Sequence, residues 1–178
     1  MDQETNNLKY IKYFLIAALI IFLFLFKKNP AKTLQTYTND SYNFSIDYPA
    51  DWSLGATLEN NNDREIISPD GQITCRAYAF VNALQNEQGQ PQTLDEFISW
   101  IYDNGEYLLD GVETTMANRR AYKTLSQDEN GLYRQSTYVI EPDIGYGLYC
   151  LYPDLDMKAQ NKNDYQLLVD SFSIQVEE

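Results

Sequence analysis

The 178-residue sequence contains no histidine. This absence excludes Ser-His-Asp and Cys-His catalysis, histidine-ligated zinc or haem, and a histidine-based pH switch. Six prolines and eight glycines are too few for a collagen-like or Pro/Gly-rich disordered chain. There is no phosphate-binding loop, dinucleotide-binding motif or Ser-x-x-Lys motif. Since 44% of the residues are apolar, we expect a chain that folds around a hydrophobic core. The missing motifs show that this chain lacks the common catalytic signatures.

Basic residues are scarce and unevenly placed. Residues 1–32 carry five lysines and two acidic residues, whereas the other 146 residues carry 8 basic and 24 acidic side chains. A domain with this balance repels phosphate backbones and anionic lipid, so we expect no nucleic-acid partner. Two interpretations of the acidity stay open, namely solubility and attraction to basic proteins or cations.

A membrane anchor is predicted near the amino terminus, after a short tail at residues 1–12. Residues 13–26 read YFLIAALIIFLFLF and span about 21 Å as a helix, short of the roughly 30 Å hydrocarbon layer. Residues 10–12 lengthen the span, and the stems of Lys12 and Lys27 reach the interface. A cleaved secretory signal is the alternative, but no small-residue cleavage site follows the run. We therefore predict an uncleaved transmembrane helix at residues 13–28, starting as early as residue 10 and contacting lipid through residues 13–26.

The orientation of this anchor is decided by other features than the flanking charges, which are balanced. A long acidic domain translocates largely regardless of charge. The domain also holds two cysteines, a number that can pair. We predict a single-pass plasma-membrane protein with a cytoplasmic amino terminus and an extracytoplasmic domain.

The rest of the chain divides into a polar tether, residues 29–40, and one folded domain, residues 41–178. Alternating apolar residues predict a half-buried first strand: Tyr42, Phe44, Ile46 and Tyr48. After Pro49, Trp52 and Leu54 are expected to enter the core. A turn at residues 68–71 predicts a hairpin between residues 65–67 and 73–81.

Helix and strand signals alternate in the second half. Thr93 and Glu96 form a capping box that opens an amphipathic helix, which reaches Tyr102 and at most Leu109. Residues 112–117, 120–126, 132–141 and 145–152 predict a meander of strands. A helix within residues 155–170 and a last strand with Phe172, Ile174 and Val176 complete the domain. The order indicates an α+β fold, one antiparallel β-sheet flanked by helices.

Two motifs resemble the PsbP-like superfamily, which includes the photosystem II extrinsic PsbP proteins, the Ran-binding Mog protein and bacterial membrane-anchored relatives. Residues 42–52, YNFSIDYPADW, resemble the opening of that family, and residues 168–174, LVDSFSI, resemble its ending. The resemblance implies an α/β/α sandwich and a non-enzymatic assembly or interaction role. It implies no catalytic residues and no cofactor.

Two sets of residues remain as chemical candidates. Cys75 and Cys150 either close a disulfide loop in an oxidising compartment or remain two buried free thiols. Asp154 and Asp156 are weak candidates for a calcium site, and a solvated loop before a helix explains them as well.

Aromatic residues supply the last candidate site. Five tyrosines fall in the last predicted hairpin: Tyr133, Tyr138, Tyr146, Tyr149 and Tyr152. Strand propensity accounts for tyrosines in a hairpin, but one aromatic sheet face could also receive a partner protein. We predict a membrane-tethered, non-enzymatic adaptor, assembly factor or binding module whose partner is another envelope protein. The alternatives are a carboxylate-dependent envelope hydrolase and a cytoplasm-facing, chaperone-like domain.

Overall fold

The computed structural model describes residues 32–58, 60–81, 93–104, 107–141 and 144–175, and the fold lies in the compact unit Thr33–Glu178. Among the described residues, no helix is long and apolar enough to cross a membrane. The predicted tail and transmembrane helix, residues 1–28, lie outside the described residues, as does Val176 of the predicted last strand.

Ten strands and three helices are described in this unit. In chain order they are β1 (Leu34–Asn39), β2 (Phe44–Pro49), β3 (Ser53–Leu54), β4 (Asp63–Ile67), β5 (Thr74–Val81), α1 (Leu94–Asn104), β6 (Tyr107–Met116), β7 (Arg119–Gln127), β8 (Tyr133–Glu141), β9 (Ile144–Tyr152), α2 (Leu155–Gln160), α3 (Lys162–Ser171) and β10 (Ser173–Ile174).

The strands form two antiparallel sheets. The small sheet has the order β1-β2-β10, and the large one has the order β3-β4-β5-β9-β8-β7-β6. The predicted antiparallel α+β class is therefore confirmed, but the prediction of a single sheet is wrong. The opening strand β2 pairs with β1 and β10, so it starts a second layer instead of joining the meander.

The core lies between the two sheets, where the opening and closing motifs meet. Phe44 of β2 and Phe172 stack with ring centroids 5.4 Å apart, and both are buried. Phe44 also registers with Ile174 across the β2–β10 pair. The apolar residues of the two motifs are therefore buried against one another. Phe44 and Phe172 are 128 positions apart, so a pattern within either motif does not predict this contact.

The predicted tether is wrong where it overlaps β1. Leu34–Asn39 pairs with all six residues of β2, from Leu34 opposite Pro49 to Asn39 opposite Phe44. The strand lies at the edge of the small sheet and its first three residues are exposed. An exposed edge strand needs little apolar alternation, so its polar sequence resembles that of a linker.

Other boundaries follow the expectations more closely. The hairpin at residues 68–71 and the capping box are confirmed: the Thr93 amide donates to Glu96 Oε2 at 2.7 Å, and the Glu96 amide donates to Thr93 Oγ1 at 3.2 Å. Trp52 is buried as predicted, but Leu54 is 39% exposed in the short edge strand β3. The helix α1 ends at Asn104, between the predicted limits of Tyr102 and Leu109.

The helix predicted within residues 155–170 is two helices separated at Asn161. The Asn161 side chain donates to the Met157 carbonyl at 2.9 Å, and its backbone amide donates to the same oxygen at 3.1 Å. These bonds close α2 before α3 begins. Tyr165 and Leu168 of α3 then enter the core.

Candidate functional site

The large sheet has two faces that differ in what covers them. We call the side toward the small sheet and α3 the core face, and the side that carries α1 the outer face. On the core face, the Thr137 and Tyr165 hydroxyls lie 2.7 Å apart. The next residue, Tyr138, lies on the outer face and contacts the Phe97 ring of α1 with centroids 5.3 Å apart. Neighbouring residues of one strand thus reach different helices.

Strand register aligns the outer-face residues in rows that cross the sheet. One row contains Glu65, Arg76, Tyr149, Ser136 and Thr124. The next row contains Asp63, Tyr78, Gly147, Tyr138 and Tyr122. The outer face therefore changes from charged groups on β4 and β5 to aromatic rings in the middle and hydroxyl groups on β8 and β7.

The five candidate tyrosines do not share one face, contrary to the prediction. Tyr146 and Tyr152 are buried in the core, and Tyr133 packs against it. Only Tyr138 and Tyr149 lie on the outer face. Parity along a strand contains this information, because residues separated by an odd number point to opposite faces. The sequence prediction grouped the tyrosines by hairpin and did not use that parity.

Three outer-face residues that the sequence prediction missed surround Tyr149. The Arg134 guanidinium lies over the Tyr149 ring, 4.9 Å from its centroid, and Tyr78 meets the same ring edge-on at 5.8 Å. Arg76 registers beside it. Tyr78 lies flat on the sheet because Gly147 has no side chain, since a Cβ there would come within 2.4 Å of the Tyr78 ring. We call Arg76, Tyr78, Arg134 and Tyr149 the Arg–Tyr cluster.

Electrostatics keep the phenols of this cluster protonated. Burial raises the pKa of Tyr78 well above its ordinary 10.0, and the neighbouring Tyr138 raises it further. Burial also raises the pKa of Tyr149, while Arg76 and Arg134 pull it back down. At neutral pH the cluster therefore presents hydrogen-bonding hydroxyls, ring faces and guanidinium groups, which is binding chemistry.

Arg76 is held in place by two carboxylates of β4. Its guanidinium forms ion pairs with Glu65 and with Asp63, the latter at 2.9 Å between Nη1 and Oδ2. The Asp63 side chain is fully buried, so removing its cation leaves a charge without compensation inside the protein. Arg76 is opposite Tyr149 in the β5–β9 register, and its charge lowers the pKa of that phenol.

The helix α1 covers part of the outer face and adds an exposed aromatic ring. Phe97 stacks on Phe80 of β5 with centroids 5.3 Å apart, and Trp100 stacks on Phe97 at 6.1 Å. Trp100 is 54% exposed. Arg120 ties the same helix to the sheet through Asp95 of α1 and Glu113 of β6. The outer face and Trp100 together form the candidate functional site.

The remaining candidates occupy structural positions. Asp154 Oδ1 accepts the Met157 amide at 2.7 Å as the N-cap of α2, and Asp156 lies in the first turn of that helix. Within the described ranges, no three Cys, Asp or Glu side chains are grouped as a metal site requires. Cys75 and Cys150 are opposite one another in β5 and β9 on the core face, joined as a disulfide with Cα atoms 3.9 Å apart.

Comparison with known proteins identifies a family that this chain matches. A family profile described as PsbP-like protein matches residues 26–174, well over half of the chain. A search of curated proteins finds no match.

Several solved structures align with this chain at low identity. Cyanobacterial PsbP (CyanoP) from Synechocystis sp. PCC 6803 aligns with a TM-score of 0.56 and 10% identity, covering 83% of this chain and 96% of that one. A Bacteroides thetaiotaomicron VPI-5482 protein aligns with 0.54 and 16%, covering 80% of this chain and 49% of that one, so the chain spans about half its length. The Saccharomyces cerevisiae Ran-binding protein Mog1p aligns with 0.48 and 9%, covering 81% and 96%.

Proposed function

Because the chain belongs to the PsbP-like protein family, we propose that it is a membrane-tethered, non-enzymatic binding domain. In this proposal the outer face of the large sheet docks another envelope protein, and the domain acts as an adaptor or assembly factor. The sequence resemblance noted above implies the same kind of role.

The observation that carries this proposal is the composition of the outer face. Tyrosine, tryptophan and arginine are enriched at protein interfaces and dominate their energetic hot spots. The Arg–Tyr cluster groups two tyrosines and two arginines, and the ring series Phe80, Phe97 and Trp100 connects it to an exposed tryptophan on α1. Fixed aromatic and guanidinium groups lose little conformational entropy when they bind, which favours a docking role.

Two features support the extracytoplasmic side and the tether. Disulfides persist in oxidising compartments, and the Cys75–Cys150 bond fits that environment. The uncharged run at residues 13–26 supplies a membrane-anchoring segment from sequence. Protease added to the outside of spheroplasts, whose cytoplasmic membrane is still sealed, should therefore digest the domain. Digestion only after the cytoplasmic side is opened would contradict this orientation.

The chemistry of the carboxylates favours binding over hydrolysis. A glycosidase of the common type needs two free carboxyl groups facing the substrate from opposite sides. On the outer face, Asp63 and Glu65 are both bound to Arg76. Asp95 and Glu113 are both bound to Arg120. These ion pairs with arginine give the carboxylates a structural role.

Site-specific photo-crosslinking in living cells tests the docking face. A photoreactive amino acid at Trp100 should give an adduct with one envelope protein. A second probe at Gln166, exposed on α3 away from the outer face, serves as the control and should not give this adduct.

A second variant ties the adduct to the Arg–Tyr cluster. Tyr149→Ala, combined with the probe at Trp100, should reduce the yield at least severalfold because it removes the ring that Arg134 and Tyr78 contact. An adduct of equal yield from Gln166, or one insensitive to Tyr149→Ala, would refute docking at this face.

A further inference from the structure

The basic residues of the domain divide into two groups with different surroundings. Residues 33–178 contain five arginines and three lysines. Each arginine contacts a carboxylate, a carbonyl or an aromatic ring: Arg64, Arg76, Arg119, Arg120 and Arg134. The three lysines lie on β7, α2 and α3, around the core-face contact between the Lys123 ammonium and the Tyr165 ring. We call Lys123, Lys158 and Lys162 the lysine cluster.

Three elements bring the lysine cluster together. Lys123 of β7 registers with Thr137, whose hydroxyl contacts Tyr165 of α3 at 2.7 Å. Its ammonium lies 5.8 Å from the centroid of the Tyr165 ring. Lys162 precedes Tyr165 by three residues, so it lies on the same side of α3, one turn closer to the start of the helix.

Lys158 completes the cluster from the last turn of α2. The break at Asn161 lets α2 and α3 meet, and it turns the Asn161 side chain back toward Met157. That side chain therefore makes no capping bond to the first turn of α3. The positive end of the α3 dipole adds to the field of the three ammonium groups.

The positive charge of the cluster lacks a paired carboxylate. In the described part of the chain, no Asp or Glu oxygen forms an ion pair with any of the three lysines. Burial lowers the pKa of Lys123, and repulsion by Lys158 and Lys162 lowers it further, against the attraction of Asp110. Three like charges held close together repel one another, and a bound anion would relieve that repulsion.

We propose that Lys123, Lys158 and Lys162 bind a phosphate group. Lysine acts as a point charge and suits a compact, multiply charged oxyanion, whereas arginine matches planar carboxylates with its paired donors. All five arginines are engaged elsewhere, which removes the forked geometry that a carboxylate ligand prefers. The acidic surface repels extended polyanions. A single phosphate bound at the cluster would interact mainly with the three lysines, because charges more than about 8 Å away are largely screened by salt. The site is separate from the outer face.

Lysine acetylation of the full chain, read by mass spectrometry, tests the site. In neutral detergent, saturating inorganic phosphate should slow acetylation of the three clustered lysines about fivefold or more, because bound anion shields them and favours their protonated form. Ionic strength is balanced with sodium chloride. Lys32, outside the compact unit, is the internal control and should be unaffected.

Two further experiments identify the source of the phosphate group and the lysines that bind it. The full chain in phosphatidylcholine vesicles, with and without phosphatidylglycerol and without free phosphate, distinguishes a lipid headgroup from a soluble phosphate. Lys162→Gln should weaken protection of Lys123 and Lys158 about two- to fivefold, the range for one exposed charge contact. The charge-matched variant Lys32→Gln should not. Equal protection of Lys32 by free phosphate in detergent, or no protection of the clustered lysines by either phosphate or phosphatidylglycerol, would overturn the proposal.

Discussion

The two faces of the large sheet are built by the same strands and yet have opposite chemistry. On the core face, Leu148 and Val139 are fully buried against the small sheet and α3. On the outer face, Arg76, Arg134 and Tyr149 are half-buried and hold one another by ion pairs and ring contacts. Because successive residues of a strand point in opposite directions, one stretch of sequence encodes both surfaces.

This difference separates the residues that hold the fold from those that are available for binding. Substitutions on the core face should lower the free energy of unfolding, since they remove buried apolar contacts or the crosslink. Substitutions on the outer face should leave most of that free energy intact and affect binding instead, except at Arg76, which compensates the buried charge of Asp63. Matched pairs of residues on the same strands can break or sharpen this separation.

The largest effect should come from the core-face crosslink. Replacing Cys75 and Cys150 with alanine opens a link between residues 75 positions apart, which the chain-entropy model values at about 4 kcal/mol. The adjoining registered pair, Arg76 and Tyr149, faces outward, so Tyr149→Ala should cost only about 1 kcal/mol. Urea unfolding of the full chain in mild detergent measures both. Equal losses would break the distinction between the faces.

Two leucines of β9 provide the next comparison. Leu148 is fully buried on the core face, whereas Leu151 is partly exposed on the outer face. Leu148→Ala should destabilise the protein by about 2–5 kcal/mol through lost burial and a residual cavity. Leu151→Ala should cost less than about 1 kcal/mol. The same urea series ranks them, and a larger loss at Leu151 would show that the outer face is a second core.

Alkaline pH should distinguish the faces through their tyrosines. Burial raises the pKa of Tyr152 on the core face, with a smaller contribution from Asp164. Burial also raises the pKa of Tyr149, but the two guanidinium groups oppose it. A tyrosine whose pKa is raised in the folded state stabilises that state while the phenol is protonated. This contribution to the free energy of unfolding is complete below the ordinary pKa of 10.0 and is lost as the pH rises through the raised pKa. Stability should therefore fall above about pH 10.

Phenylalanine variants assign this alkaline loss. Tyr152→Phe should flatten the fall of the urea midpoint with pH more than Tyr149→Phe does, because Tyr152 carries the larger opposition to ionisation. Phenolate absorbance, compared between the two variants, should show that Tyr149 ionises before Tyr152. If Tyr149→Phe had the larger effect, the guanidinium groups would not be acting on that phenol.

Local patterns in the sequence were sufficient to predict features whose hydrogen bonds join residues a few positions apart. The Thr93–Glu96 capping box and the turn at residues 68–71 each depend on bonds within a few residues, and both form as predicted. The strand β1 was missed because its order comes from pairing with β2 and not from its own apolar pattern. The Arg–Tyr cluster and the lysine cluster depend on strand register and helix packing, which no local pattern encodes.

The smallest expected effect sharpens the comparison to two adjacent residues of β8. Thr137 contacts Tyr165 on the core face, so Thr137→Val should cost about 1–2 kcal/mol by leaving the buried Tyr165 hydroxyl without that bond. Ser136 is only 1% exposed, and its hydroxyl has no hydrogen-bond partner among the described residues. Ser136→Ala should therefore leave the urea midpoint unchanged or raise it slightly, because it removes an unsatisfied buried group. A clear loss at Ser136 would mean that its hydroxyl is bound in solution, which would make the outer face a contributor to the fold as well as a surface for docking.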